Sequence, residues 1–289
     1  MNGKKNYVGI DVSAAGVRAV MLNEEFEVAS ESHMKLPAAS GKESLASRIQ
    51  KVFLDIPQGA HIKAVGISLP AIFEVGNKEI VSSQLSNLDG VRIYELISDR
   101  IKYPLFFFRR SASALLAEQA FGEAQDVKNA IYLEVGRNTS AVFLINGKIY
   151  KGANDQAGEI NHMIIDITKE KRNGLGEYGT LVSGKGIQQL TGKSVYEILK
   201  GAKKDDFTTK RIVREITENL LTGMYNLKVL FDPKLFIING EILENFPLFK
   251  NAFLDLGVEV VPAKLGMTAA AIGAGISAYN QLKMHSTKK

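Results

Sequence analysis

Two stretches of this chain read alike. Ile10-Asp11-Val12-Ser13-Ala14-Ala15-Gly16-Val17-Arg18-Ala19-Val20-Met21-Leu22-Asn23 aligns without a gap on Leu133-Glu134-Val135-Gly136-Arg137-Asn138-Thr139-Ser140-Ala141-Val142-Phe143-Leu144-Ile145-Asn146. Each is a strand ending in an acid and a valine, a short polar turn, a second apolar strand, and an asparagine. A third strand is expected after each, at Phe26–Ala29 and at Lys148–Lys151. A β-meander that occurs twice limits the fold more than any other feature, because it predicts two lobes that open in the same way.

The intervening pattern supports this reading. Leu45, Ile49, Val52 and Phe53 fall at helical spacing in a helix of about Lys42–Asp55, and a strand follows at Ile62–Ser68. A short helix, Val91–Ile101, leads to the apolar strand Leu105–Phe108, and Ser111 is expected to cap a helix running to about Gly122. A long helix, Thr208–Phe231, is stopped by Asp232-Pro233 and followed by strands at Leu235–Ile238 and Val258–Val261. Small residues dominate a closing helix, Ala269–Leu282, which implies close packing on a neighbour. Strands alternating with helices predict an α/β fold with helix-covered sheets. The expected division is an N-terminal lobe, 1–118, and a C-terminal lobe, 119–269. A closing helix of about 270–289 can pack back on the first lobe.

Composition narrows the chemistry. The 289 residues contain no cysteine, which removes disulfides, thiolate zinc sites and a cysteine nucleophile. The start of the chain has no signal-peptide pattern and no apolar run is long enough to span a bilayer, so no membrane role and a cytoplasmic location are expected. The net charge of +5 is dispersed. Clusters such as Lys169–Arg172 and Lys203–Lys204 sit beside acids, as on a solvated surface, and His285–Lys289 reads as a frayed tail.

Four stretches resemble the ROK family of sugar kinases and repressors, within the actin-like ATPase and sugar kinase superfamily. Val65-Gly66-Ile67-Ser68-Leu69-Pro70 is similar to the family's "GIGIPGP" turn. Leu116-Ala117-Glu118 with Phe121-Gly122 resembles the end of "NDANAAALAE..FG". Ile145–Asn154 and Ala157–Met163 together resemble "NGKIYRGANGLAGEIGHM", the most specific of the four. Pro262–Gly266 and Ala270–Ala274 resemble "PSALGDDAGLLGAA". The resemblance covers nearly the whole chain. It implies a two-lobed actin-like ATPase fold, a duplicated ribonuclease H-like arrangement with ligands in the interlobe cleft.

The resemblance also implies site residues, and here the chain departs from the pattern. Phosphoryl transfer needs a phosphate cradle, a metal and a base for the sugar hydroxyl. The first phosphate turn, "DIGGTK" in the family, is Asp11-Val12-Ser13-Ala14-Ala15-Gly16. Asp11, which would help hold the metal, survives; both glycines and the threonine do not. The second turn, "GTGIGGG", is Gly136–Val142, where Ala141 and Val142 are expected to crowd and strain the backbone. Arg137 could meet a phosphate by charge. The third element, "GGG", is Asn239-Gly240-Glu241. The base aspartate falls on Arg110, beside Arg109, and a guanidinium has no lone pair to accept a proton. Asp155 is the nearest substitute and a poor one. Glu159 and His162 match the family's sugar-binding "E..H". The zinc cysteines fall at about Glu170, Arg172 and Glu177, which implies no zinc site. The glutamate after the last cysteine falls near Gly179, although a shift of two residues would offer Glu177.

Three readings follow. The first is a catalytically impaired sensor or regulator that binds a sugar, or an anionic sugar derivative such as a sugar phosphate, through Glu159, His162, Arg109 and Arg110. An equal alternative is that the arginines pair with local acids. Residual nucleotide or magnesium contacts would be Asp11, Gly136, Arg137 and Gly240, with ATP and Mg binding weakened. The second is an active ATP-dependent sugar kinase, like a glucokinase or N-acetylmannosamine kinase, so whether the chain is an enzyme stays open. The third is a dimeric scaffold, to which Phe106–Phe108 and Phe246–Phe253 could contribute. A homodimer is the family expectation and a protein partner is a further candidate. Too few residues precede the first meander for the repressors' helix-turn-helix domain, so no direct DNA binding is expected.

Overall fold

The structure is a computed structural model that describes residues 5–37, 40–57, 61–74, 79–85, 88–168, 176–240 and 246–287. The chain divides into two compact units. One comprises Met1–Gln125, Ala153–Asp155 and Leu265–Lys289, and the other comprises Asp126–Gly152 and Gln156–Lys264. The first unit therefore reaches Gln125 rather than residue 118. The amides of Gly122 and Ala124 bond to the Glu118 carbonyl, which ties that segment to the preceding helix.

The first unit contains β1 (Lys5–Ser13), β2 (Gly16–Leu22), β3 (Val28–Met34), α1 (Lys42–Leu54), β4 (His61–Leu69), β5 (Ala71–Phe73), β6 (Ile80–Ser83), α2 (Ile93–Ser98), β7 (Leu105–Arg109) and α3 (Arg110–Phe121). Its main sheet has the order β3-β2-β1-β4-β7. The first three strands form the antiparallel meander, and β4 and β7 lie parallel to β1 and to each other.

The second unit contains β8 (Ala130–Val135), β9 (Thr139–Ile145), β10 (Lys148–Tyr150), α4 (Tyr178–Val182), α5 (Gly184–Thr191), α6 (Val195–Lys203), α7 (Phe207–Phe231), β11 (Leu235–Asn239), α8 (Phe246–Phe253) and β12 (Glu259–Pro262). The sheet order β10-β9-β8-β11-β12 repeats the first pattern strand for strand. Its meander is again antiparallel, and β11 and β12 are again parallel additions. The chain ends in α9 (Ala269–Thr287).

The two meanders differ at their turns. In the first, Ser13 pairs with Gly16 and Asp11 faces Arg18; in the second, Val135 pairs with Thr139 and Glu134 faces Ser140. The second turn is one residue longer, so the gapless sequence match slips by one across it.

Each unit has its own core. In the first, Val8, Ile10, Val65 and Ile67 meet Ile49 and Val52 of α1. The other face of that sheet receives α9, whose small residues allow the backbones to touch. A Cβ on Gly9 would lie 1.8 Å from the Ala271 carbonyl oxygen, and one on Gly66 would lie 2.0 Å from that of Ala274. In the second unit, α7 buries Ile216, Leu220, Met224 and Leu227 on one stripe. Full burial of Leu220 contributes roughly 2 kcal/mol. Asp206 caps α7 through the Thr209 amide, and Asp232 ends it in the left-handed conformation, φ 43°.

Several expected boundaries move. Phe26 lies in a turn at φ 62° and the third strand begins at Val28, because Asn23 Oδ1 accepts from the Glu25 and Glu27 amides and holds the turn open. Helix α3 starts at Arg110 with no side-chain cap, so Ser111 lies inside its first turn. The tail is helical to Thr287, and His285 stacks on Phe106 with ring centroids 6.0 Å apart.

Candidate functional site

Parallel strands place their carboxyl ends on one edge of a sheet, where open α/β folds bind ligands. In the first unit that edge carries Asp11 on β1, Ser68 on β4 and Arg109 on β7, with Arg110 opening α3. Asp11 is 3% exposed and directly opposite Ser68 in the ladder. The Ser68 hydroxyl donates to Asp11 Oδ1 at 3.0 Å. Arg110 Nε donates to Oδ1 at 3.0 Å and to Oδ2 at 3.2 Å. Both carboxylate oxygens of Asp11 are thus engaged by the protein. The Arg110 side chain is only 14% exposed, so the pair is shielded from water. Arg110 thus pairs with a local acid, Asp11.

Arg109 turns elsewhere: its Nη1 donates to the Asp155 carbonyl oxygen at 2.7 Å. Asp155 is held at φ 54°. Arg109 therefore fastens the Ala153–Asp155 segment to the first unit, which groups it there.

The corresponding edge of the second unit carries Gly136 after β8 and Gly240 after β11. Within this turn the Gly136 amide donates to the Asn138 carbonyl at 3.0 Å. The Gly184 and Lys185 amides at the start of α5 donate to the Gly136 and Arg137 carbonyls, at 2.8 and 3.0 Å. Ser183 caps the Gly186 amide at 3.1 Å. The first N–H groups of α5 are thereby used within the protein. The strain expected at Ala141 and Val142 does not arise. Both lie inside β9 and are buried, facing Leu133 and Tyr132, and no residue from Gly136 to Val142 has a positive φ. Gly136 itself has open space where a Cβ would go. Gly240, at φ 110°, is required by a close approach, since a Cβ there would lie 2.3 Å from the Val135 carbonyl oxygen. Arg137 is exposed, and Glu241 lies outside the described residues.

The loop after β10 holds the remaining candidates. Gly158 sits at φ 93° with its carbonyl accepting from the Ala141 amide at 2.8 Å, so the loop is seated on β9 just ahead of Glu159. Glu159 is half-buried and leads into the 3-10 turn Ile160–His162. The chain then pairs with itself: the Ile165 amide donates to the Gly176 carbonyl and the Tyr178 amide to that of Met163. This brings Glu177 to His162, with Nδ1 to Oε2 at 3.2 Å. His162 is 72% exposed and Glu177 is 30% exposed. Next to it, Tyr178 is wholly buried, donates to the Leu220 carbonyl at 3.1 Å, and has its phenol pushed upward by burial.

Glu177, which a two-residue shift of the family pattern offers as the ligand glutamate, thus stands beside His162. Ser68 was missed as the partner of Asp11, although register alone sets the two residues side by side. Glu170 and Arg172 lie outside the described residues. Among the described residues, no group of three or more His, Asp or Glu side chains is gathered as a metal site, and no helix is long and apolar enough to cross a membrane.

Comparison with known proteins gives the same picture of kinship. The chain is 25% identical over 295 residues to the xylose repressor of Bacillus spizizenii, covering 94% of this chain and 77% of the repressor. It is 25% identical over 292 residues to a glucokinase of Pyrobaculum calidifontis, covering 94% and 95%. Among solved structures, the ROK hexokinase of Thermus thermophilus superposes with a TM-score of 0.81 at 20% identity, covering 96% of this chain and 99% of the hexokinase. That likeness establishes the two-lobed actin-like ATPase fold. A relative named as a repressor gives no support to the expectation of no direct DNA contact. The sequence pattern of the ROK family matches residues 7–279, and the chain is a member of that family.

Proposed function

We propose that this protein no longer transfers phosphoryl groups and acts as a sugar-binding sensor or regulator. The observation that carries this reading is the Arg110–Asp11 pair. The position expected for the catalytic base holds a cation, and that cation occupies the carboxylate expected to serve the metal. A guanidinium cannot accept a proton at any biological pH, and loss of a general base costs roughly 10²–10⁴ in rate. Magnesium needs free oxygen ligands, and a neighbouring positive charge opposes a second cation. The Asp11 site does not fit Mg²⁺. In the second-unit turn the Gly136 amide is already taken by the Asn138 carbonyl, which weakens a phosphate cradle built on it.

Glu159, with the His162–Glu177 pair, keeps acceptors and a ring nitrogen within reach of solvent, the chemistry that reads sugar hydroxyls. With two acids, Glu159 and Glu177, in this stretch, a neutral sugar suits it better than an anionic one. Calorimetry with neutral hexoses, N-acetylated hexosamines and hexose phosphates tests the reading. Saturable binding of a sugar without ATP, weakened in His162→Ala, is expected. No binding by any sugar would point to the scaffold reading. Binding that appears only with ATP and Mg²⁺ would point to the kinase.

A further inference from the structure

Glu118 is wholly buried, and no functional reading so far has used it. It lies in the last turn of α3. Its Oε2 accepts from the Glu123 amide at 2.9 Å and its Oε1 from the Leu265 amide at 2.8 Å. Its carbonyl accepts from the amides of Gly122 and Ala124, at 2.9 and 3.1 Å. Apart from the three-residue excursion Ala153–Asp155, the chain passes between the two units twice, after Gln125 and after Lys264. One buried carboxyl thus bonds to the segment just before the first passage and to the first residue after the second. The excursion is held by Arg109, at the other end of the same helix.

The neighbouring bonds define how little chain remains between anchors. At the second passage, the Ala263 amide bonds to the Ile238 carbonyl of β11 and the Leu265 amide to Glu118, leaving Lys264 between them. At the first, Ala124 is tied to Glu118, Gln125 Nε2 donates to the Ala120 carbonyl at 2.9 Å, and the Lys128 carbonyl accepts from the Gly147 amide. Asp126, between them, is left-handed at φ 58°. Hinges are a few residues that absorb large backbone changes while their flanks stay fixed.

We propose that Glu118 is a shared anchor that couples the two passages, confining backbone freedom to Gln125–Val127 and Lys264, so that loosening one passage loosens the other. The inference is independent of whether a sugar or ATP binds. A buried carboxyl that loses one of two amide donors leaves a polar group unsatisfied, so both bonds depend on the same side-chain position.

Hydrogen exchange on the full chain tests this. In Glu118→Gln the side chain presents one carbonyl oxygen and an NH₂ group, so it cannot accept from both amides. Amide exchange at Glu123 and at Leu265 is expected to rise together, by roughly tenfold or more, while amides in β1, β4 and β8 keep their protection. Gly122→Ala is a second route to the same end, since its Cβ would lie 1.9 Å from Oε2 and would displace the carboxyl. It should loosen the same two amides. A rise at only one of them, no change in either variant, or a uniform rise across the first unit would overturn the proposal.

Discussion

The carboxyl edge of the first sheet and the Glu159–Glu177 stretch of the second unit both present charged side chains, and they differ in what those charges face. Asp11 is buried, with its two oxygens held by Ser68 and Arg110. His162 and Glu177 bond to each other but remain open to water. The first cluster is closed by its own partners, whereas the second stays open to water. In the function proposed above, the first has become structural and the second keeps a ligand-reading role. The following variants can break that distinction or refine it.

The largest effect is expected at Asp11→Ala, which removes the carboxylate partner of the largely shielded Arg110 guanidinium. Removing one partner of a buried ion pair costs about 3–5 kcal/mol, measurable by urea unfolding. Replacing both partners, as in Asp11→Leu with Arg110→Met, should recover most of that loss. A cost for Asp11→Ala below about 1 kcal/mol would mean the pair is not structural. Next is Gly158→Ala, where the Cβ would lie 1.8 Å from the Ala141 carbonyl oxygen at φ 93°. About 1–3 kcal/mol should be lost, and the loop carrying Glu159 should lose exchange protection. A smaller and purely functional effect is expected at Glu177→Gln. Sugar affinity should fall roughly tenfold, with stability changed by less than about 0.5 kcal/mol, as for an exposed pair. Ser183→Ala removes the α5 cap and should cost about 1 kcal/mol by thermal melting.

The smallest effect concerns pH. Asp206 is held below its ordinary carboxylate value of 3.8, first by the Thr209 amide and then by the Thr209 side chain. A depressed carboxylate contributes stability above its unfolded-state value and loses it as pH falls through the folded-state value. The α7 start should therefore differ between the protein and Asp206→Asn at neutral pH and converge below 3.8, as read by amide exchange.

Much of the architecture was visible in the chain because it rests on periodicity. The doubled meander anticipated both sheet openings, and the long helix expected from Thr208 starts within a residue of the observed α7. Short elements were not visible. The β5–β6 hairpin and helices α4 to α6 carry too few turns for a pattern to build up, and their positions depend on tertiary contacts such as Tyr178 against Gly223. The site was legible by residue type but not by partner. Arg110 stood out as a cation at the base position, while its bond to Asp11 spans 99 positions and needs the β1, β4 and β7 register to become evident. That Glu177 meets His162 was not legible either, because it depends on the pairing of Tyr178 with Met163.

The most direct test of the central claim is sugar-dependent ADP release from ATP·Mg²⁺, measured with a coupled assay across a panel of hexoses and N-acetylated hexosamines. The expected result is no release above the sugar-free background for the unaltered protein, alongside saturable binding of at least one of the same sugars. Saturable, sugar-dependent ADP release that disappears in Asp11→Asn would contradict it, since Asp11 would then be serving catalysis despite the bond to Arg110.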